Sequence, residues 1–356
     1  MIYWQFQGFR IFAPNYPVPN LVYKDDCMKK QAYIYGSFAI ALLLMASCDK
    51  DNDPYVTPPE DEVETPSAEG VVYTSNTSGT FDIWKLEGES NAQLTHLNDA
   101  DAWWPRYSEA NASILFYSSK NARDINDYAS ADLMSMDLDG SNVKAILSAG
   151  AHGWEQQGLA NWSHDGTQIV VAAVDPSLSR WQIYTCHKDG TNPRRISTRD
   201  GFDYLDPIFD MDDQSILCVA VPEGELNEEA NYEVIRLRIN DGFEERLTNN
   251  GRRDQHPALS PNGTHVAYES LIDTEYLSIG KWALMEVELS SGSETPLLVN
   301  DHINLFPRYT RNGEHIVYTR LNVESFGMTL GRLNRSTGDS KLLVAEESQC
   351  MNADPY

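Results

Sequence analysis

A short phrase returns along this chain at a spacing of about 50 residues, and it limits the fold more than any other feature. Its instances are "WWPRYSEANASILFYSS" with Pro105, "LDPIFDMDDQSILCVAV" with Pro207, "QHPALSPNGTHVAYES" with Pro257 and "LFPRYTRNGEHIVYTR" with Pro307. "GLANWSHDGTQIVVAAV" keeps the same frame with Ala160 in the proline position. A fixed period of this length means blades or solenoid units, each too small to bury its apolar face alone. After the turn of each unit comes an alternating strand such as Ile169-Val170-Val171 or Ile316-Val317-Tyr318. Two more strands follow around an Asp-Gly or Asn-Gly type of turn, as where "WQIYTCHKDGTN" leads to "RRIS". Gly and Asn reach the positive φ of such turns at little cost, so four short strands per unit are expected. No long 3.6-residue apolar period occurs, which predicts an almost all-β chain beyond residue 70.

The ends of this region fit a ring. Residues 71 to 97 carry the later strands of a unit without its opening phrase, while "MNADPY" supplies an opening, with Pro355 read as the repeat's proline. Pairing the two removes both free sheet edges. The expectation is an all-β, six-bladed β-propeller of four-stranded blades over 70–356, closed by its N- and C-terminal segments. The third unit lacks its turn glycine (Asp212-Asp213-Gln214), so that turn is expected to differ.

"HPALSPNGTHVAYES" followed by "ALMEVELSSG" resembles the PD40 repeat of TolB-like six-bladed propellers, over nearly all of 70–356. The resemblance implies that loops entering the first strands gather at one mouth of a central channel. Those loops carry Asp101, Trp103, His152, Trp154, Glu155, Tyr204, Asp206, Asp254, His256, His302, Asn304 and Asp354. Aromatics beside carboxylates and imidazoles on a concave rim suit a peptide or a sugar-like ligand, with Trp103 and Tyr204 as expected anchors. An Asp or His next to the repeat's proline also commonly caps a turn or ties backbone between blades, and that reading stands beside the first. No Gly-x-Ser-x-Gly elbow and no HExxH or HxxxH spacing occurs. The expected function is non-catalytic binding. The alternative is a metal-dependent polysaccharide lyase in which His256 and His302 share a metal with Asp254, since oligogalacturonate lyases are propellers that use such a rim. No cofactor is expected, although carbonyls and Asp in the channel leave room for a calcium ion.

Ahead of the repeats, "MKKQAYIYGSFAIALLLMASC" (28–48) has the charged, apolar, small-residue order of a secretory signal. Its apolar run falls short of the roughly 20 residues of a membrane-spanning helix. Leu44-Met45-Ala46-Ser47-Cys48 resembles a bacterial lipobox, with Met45 where Leu is usual. That implies a lipoprotein signal peptide over 28–47, acylation of Cys48, and a non-native upstream extension over 1–27. Residues 48–69 are rich in Asp, Glu and Pro, the composition of a disordered tether. Its start, Asp49 to Asp53, resembles the export signal of surface lipoproteins in Bacteroidetes, and a plain solvated linker fits it equally.

Lys and Arg number 27 against 53 Asp and Glu, a formal charge of −26, which repels phosphate backbones and argues against a nucleic-acid partner. None of the 5 cysteines forms a CxxC pair, and Cys186, Cys218 and Cys350 are expected as buried thiols. The chain is therefore expected to be an outer-membrane lipoprotein held to the membrane through Cys48 only. It would face the periplasm or the cell surface and act as a monomer on an envelope protein segment or glycan.

Overall fold

The computed structural model describes residues 69–97, 99–119, 125, 127–222, 232–345 and 349–356, plus a short antiparallel pairing of Gln5–Phe6 with Phe9–Arg10. The rest of the expected upstream extension (1–27), the signal peptide (28–47) and the tether up to 68, Cys48 included, lie outside the described residues.

Six antiparallel sheets of four strands make up the remainder. Blades two to six begin with Ala102–Ser108, Gln156–Trp162, Phe202–Phe209, Asp254–Leu259 and Ile303–Tyr309, and in each the strands pair in chain order. Blade one is the exception. Its first strand is Cys350–Pro355, paired with Val71–Ser75, and Asp82–Glu87 and Ser90–Gln93 follow outward. The six first strands touch one another in a closed cycle, which makes the molecule a ring around an axis. The core lies between blades. Val170, Ala172 and Ile183 of blade three, for example, pack against Phe209, Ile216 and Leu237 of blade four. Cys186, Cys218 and Cys350 are buried free thiols in these interfaces, and burial pushes the Cys186 thiol up to about 12.

The closure corrects one phase of the sequence reading. Asp354 pairs with Val72 and Pro355 with Val71, and the Tyr356 N–H donates to the Gly70 carbonyl at 2.9 Å. In this register Ala353 stands where Pro105, Ala160, Pro207, Pro257 and Pro307 stand in the other blades; Pro355 corresponds to Tyr107. The final Pro-Tyr imitates the opening of the phrase two residues late. Gly70 lets the Tyr356 ring lie close over the seam, where a Cβ would stand 2.2 Å from it.

The structure also shows why the phrase carries proline. In every blade the pairing of first and second strands shifts by one residue, between Trp103 and Arg106 in blade two and at the matching place elsewhere. The first residue of each bulge is left-handed: Trp104 (φ 60°), Leu159 (60°), Asp206 (53°), His256 (51°), Phe306 (55°) and Asn352 (56°). The second is the proline, or Ala160 or Ala353. A bulge leaves that N–H out of the ladder, so proline there removes no hydrogen bond. Ser or Thr three residues on closes the following turn, since the hydroxyls of Ser163, Ser260 and Thr310 accept the N–H of Gln168, His265 and His315 at 2.9 to 3.0 Å. Blade four keeps this turn without its glycine. Asp213 adopts φ 53°, and its carboxylate accepts the N–H groups of His164 and Asp165 from blade three.

Candidate functional site at the ring axis

A left-handed residue re-aims its side chain relative to a regular strand. Since all six blades bulge alike, the strain, of order 1–2 kcal/mol per non-glycine residue, belongs to the architecture. What is particular to this chain is the set of side chains that the bulges bring to the axis. A small cleft, about 250 Å³ with the solvent-open space at its mouth included, is lined by Trp104, Arg106, Asn161, Asp206, Ile208, His256, Pro257, Phe306, Pro307 and Arg308. They belong to blades two to six, and apart from the two prolines each is a residue immediately before or immediately after the repeat's proline position.

These side chains fill the axis. Trp104 of blade two reaches His256 of the opposite blade five, with ring centroids 5.7 Å apart, and meets Phe306 edge-on at 6.1 Å. Arg308 of blade six donates to Asn161 Oδ1 of the opposite blade three at 3.4 Å and lies 3.5 Å from Asp354. The Arg106 guanidinium stacks on the Trp104 ring at 3.8 Å, and its Nη1 donates to the Pro105 carbonyl at 2.6 Å.

His256 stands between two carboxylates. Nδ1 is 2.8 Å from Glu269 Oε1, and Nε2 is 3.4 Å from Asp206 Oδ1, within ion-pair reach but not aligned as a hydrogen bond. The other Glu269 oxygen accepts the Phe306 N–H at 2.7 Å, and Asp206 accepts the His256 N–H at 3.1 Å. Burial pulls the imidazole down, but Asp206 and Glu269 outweigh it and hold its pKa above the usual value. Burial likewise raises Asp206. It pulls Arg106 well below its ordinary value, with Arg308 nearby adding to the effect.

Of the residues singled out from the sequence, Asp206 and His256 line this cavity, and Asp354 adjoins it through Arg308. Asp354 follows the proline position in the true register, and it also accepts the Tyr107 N–H at 2.7 Å. The expected anchors lie elsewhere. Trp103 and Tyr204 have no exposed surface. Trp103 stacks on Tyr117 at 5.9 Å inside the ring wall, and the Tyr204 hydroxyl bonds Glu244. They lie two and three residues before the proline position, in the regular part of the strand ahead of the bulge, where alternation sends each into a packed core rather than to the axis.

His152 and Trp154 pack toward the third strand of blade three. Trp154 lies 4.8 Å from the Tyr184 ring, and His152 Nε2 is 2.8 Å from the Gly190 carbonyl. Asp254 is buried against Ser270 Oγ and Asn250 Nδ2, and burial raises its pKa to about 6. The backbone N–H of His302 and the Asn304 amide both donate to Asn300 Oδ1. Asp101 is a staple between blades: it accepts the Phe81 N–H at 3.0 Å from blade one. Asp203 and Gln349, at the same repeat position, accept the N–H groups of Trp181 and Met328 in the same way.

The sequence reading missed Trp104, Arg106, Asn161, Ile208, Phe306, Arg308 and Glu269. Six of these flank the proline position, which was the signal available. Glu269 sits on a second strand and carries no such mark. Among the described residues no three His, Cys, Asp or Glu side chains group as a metal site would need, so Asp254, His256 and His302 do not form the shared set considered above.

No protein-family model and no curated sequence matches this chain. Solved structures do. TolB from Acinetobacter baumannii superposes with TM-score 0.62 at 16% identity, covering 82% of this chain and 68% of that one. A putative TolB from Agrobacterium tumefaciens gives 0.58 at 13%, covering 82% and 99%. An oligogalacturonate lyase in complex with manganese gives 0.53 at 12%, covering 78% and 74%. At these identities the likeness is one of fold: the chain is a TolB-like six-bladed β-propeller.

Proposed function

We propose that this chain is a non-catalytic binding propeller of the cell envelope. Its axial cavity would recruit a protein segment or a glycan, and an acylated Cys48 would hold it at the outer membrane. The observation that carries the binding reading is the company His256 keeps. Both its ring nitrogens face carboxylates, and the cavity lining offers no Ser, Thr, Cys or Lys as a nucleophile for it to activate. Aromatic and proline surfaces beside a few fixed polar groups are the makings of a recognition site.

The test uses Trp104 as its own reporter. Panels of peptides and envelope glycans are titrated against the purified full-length protein while tryptophan fluorescence is followed, with Trp104→Phe as control. A saturable response to one class, without product, supports the reading. Likeness to oligogalacturonate lyases favours the alternative of a metal-dependent lyase, and unsaturated products from a polyuronate on addition of manganese would overturn the binding proposal. Anchoring is tested separately: Cys48→Ala is expected to leave the membrane pellet on fractionation, and retention there would refute it.

A further inference from the structure

We propose that the loops between second and third strands of blades five and six form a docking face for a cationic protein segment. Its occupant would set Leu- or Phe-like side chains between arginines or lysines. The inference is independent of the axial cleft.

Each loop exposes a large apolar side chain from a left-handed backbone. Leu277 has φ 49° and is 55% exposed; Phe326 has φ 55° and is 38% exposed. Bulky residues seldom take this conformation, and a strained, exposed apolar residue points to a use outside folding. Blade three shows that the turn itself does not call for phenylalanine. Its loop is built like that of blade six: the Ser179 N–H donates to the Asp175 carbonyl at 2.8 Å, as the Phe326 N–H does to Asn322. The side chains of Asp175 and Asn322 each accept the N–H two residues on, at 2.8 and 2.9 Å. The left-handed position of blade three holds Ser179, at φ 51°.

The two loops share an apolar floor, because Ile279 and Val323 pack on the cluster that contains Trp282 and Ile303. Tyr276, next to Leu277, ties blade five to the segment entering blade six, its hydroxyl donating to the Asp301 carbonyl at 3.0 Å. Asp273 and Glu275 at the blade-five loop, Glu324 at the blade-six loop and Asp301 between them are all exposed. Burial, then Asp301 and Asp273, raise the pKa of the Tyr276 hydroxyl, which places both carboxylates beside it. Lys281 lies half-buried over the Tyr276 ring at 5.5 Å.

In a chain of net charge −26, acidity alone marks nothing. Pairing does. On blade four, Arg236, Arg238 and Arg246 pair with Glu245, Asp241 and Glu233, and Arg238 also covers the exposed Phe243 ring at 4.8 Å. That surface supplies its own cations. Among the described residues, none of Asp273, Glu275, Asp301 and Glu324 belongs to an ion pair. Apolar anchors inside a rim of one sign suit a partner of the opposite sign, which the rim steers and the anchors hold.

The experiment measures fluorescence anisotropy of a labelled Arg-Leu-Arg-Phe-Arg peptide on the full-length protein at physiological ionic strength. Glu-Leu-Glu-Phe-Glu and Arg-Ser-Arg-Ser-Arg are the comparison peptides, and both are expected to bind about tenfold or more weakly. Leu277→Ser combined with Phe326→Ser is expected to cause a similar loss while melting no lower than the parent. Phe243→Ser, at the other exposed ring, should bind as the parent does. Glu275→Gln combined with Glu324→Gln should weaken binding and flatten its salt dependence. The peptide series decides the question should the serine variant fail to fold. Equal binding of the basic and acidic peptides, parent-like binding by the serine variant, or an equal loss in Phe243→Ser would overturn the face. Trp104→Phe should bind unchanged; loss of binding there would move the peptide to the axis and overturn this face in favour of the axial site.

Discussion

Trp103 and Trp104 are neighbours in sequence and serve different parts of the ring. Trp103 follows the strand's alternation and is sealed in the wall between blades, against Tyr117 and Tyr128. Trp104 begins the bulge and crosses the axis to His256 and Phe306. Both are buried, so burial alone does not separate a packing residue from a site residue. The separation comes from the backbone. The wall holds regular strand positions tied to the next blade, and the axis holds bulge positions whose partners come from distant blades.

The harshest way to break this contrast is to remove a strand that belongs to both regions. Deleting Asn352 to Tyr356 takes Asn352 and Asp354 from the axis and uncovers the Val71–Ser75 edge. A loss above about 4 kcal/mol, seen as a collapsed melting transition or aggregation, is expected. An unchanged melt would mean that the seam contributes nothing to the ring.

Next come the two tryptophans. Each Trp→Ala change should cost about 3–5 kcal/mol, but only Trp104→Ala should alter ligand response at the axis. Equal loss of response in both would erase the distinction between the regions.

Asp254 tests the wall from within a first strand. Its folded pKa of about 6 lies above the usual carboxylate value of about 3.9. Its contribution is therefore complete at low pH and is lost as pH rises from about 4 to about 6, on the order of 3 kcal/mol. Melting temperatures of Asp254→Asn across that window should fall less steeply than those of the parent. Parallel profiles would refute the assignment.

The smallest effect belongs to the staples. Asp203→Ala leaves the Trp181 N–H without its acceptor and should cost about 1–3 kcal/mol. Ligand response should be untouched; a changed response would join wall and axis into one unit.

How far the sequence discloses these regions follows from the same geometry. The proline, the Ser or Thr after it and the Asn-Gly turns each have a local backbone cause, and they recur, so blade number and strand order were legible. The closing phase was not, because Pro355-Tyr356 copies the motif while the ladder is set by burial of Cys350, Met351 and Ala353. Asp101 and Trp103 looked like rim residues because polar and aromatic side chains beside a proline suggest a mouth. Whether such a residue reaches the axis depends on whether it flanks the proline within the bulge or lies in the regular strand before it, which composition cannot reveal. Glu269 could be found only through its contact with His256.

The seam also governs the order in which the ring is assembled and opened. Hairpins within a blade join residues a few positions apart, whereas Cys350 and Ser75 meet across 275 residues. Loop-closure entropy makes that encounter roughly 2 kcal/mol more expensive than closing a 20-residue loop. Blade one is thus expected to complete last, after five blades have already stacked and shortened the effective gap. Opening should begin there too, with amide protons of Val71 to Ser75 exchanging before those of the inner strands opposite.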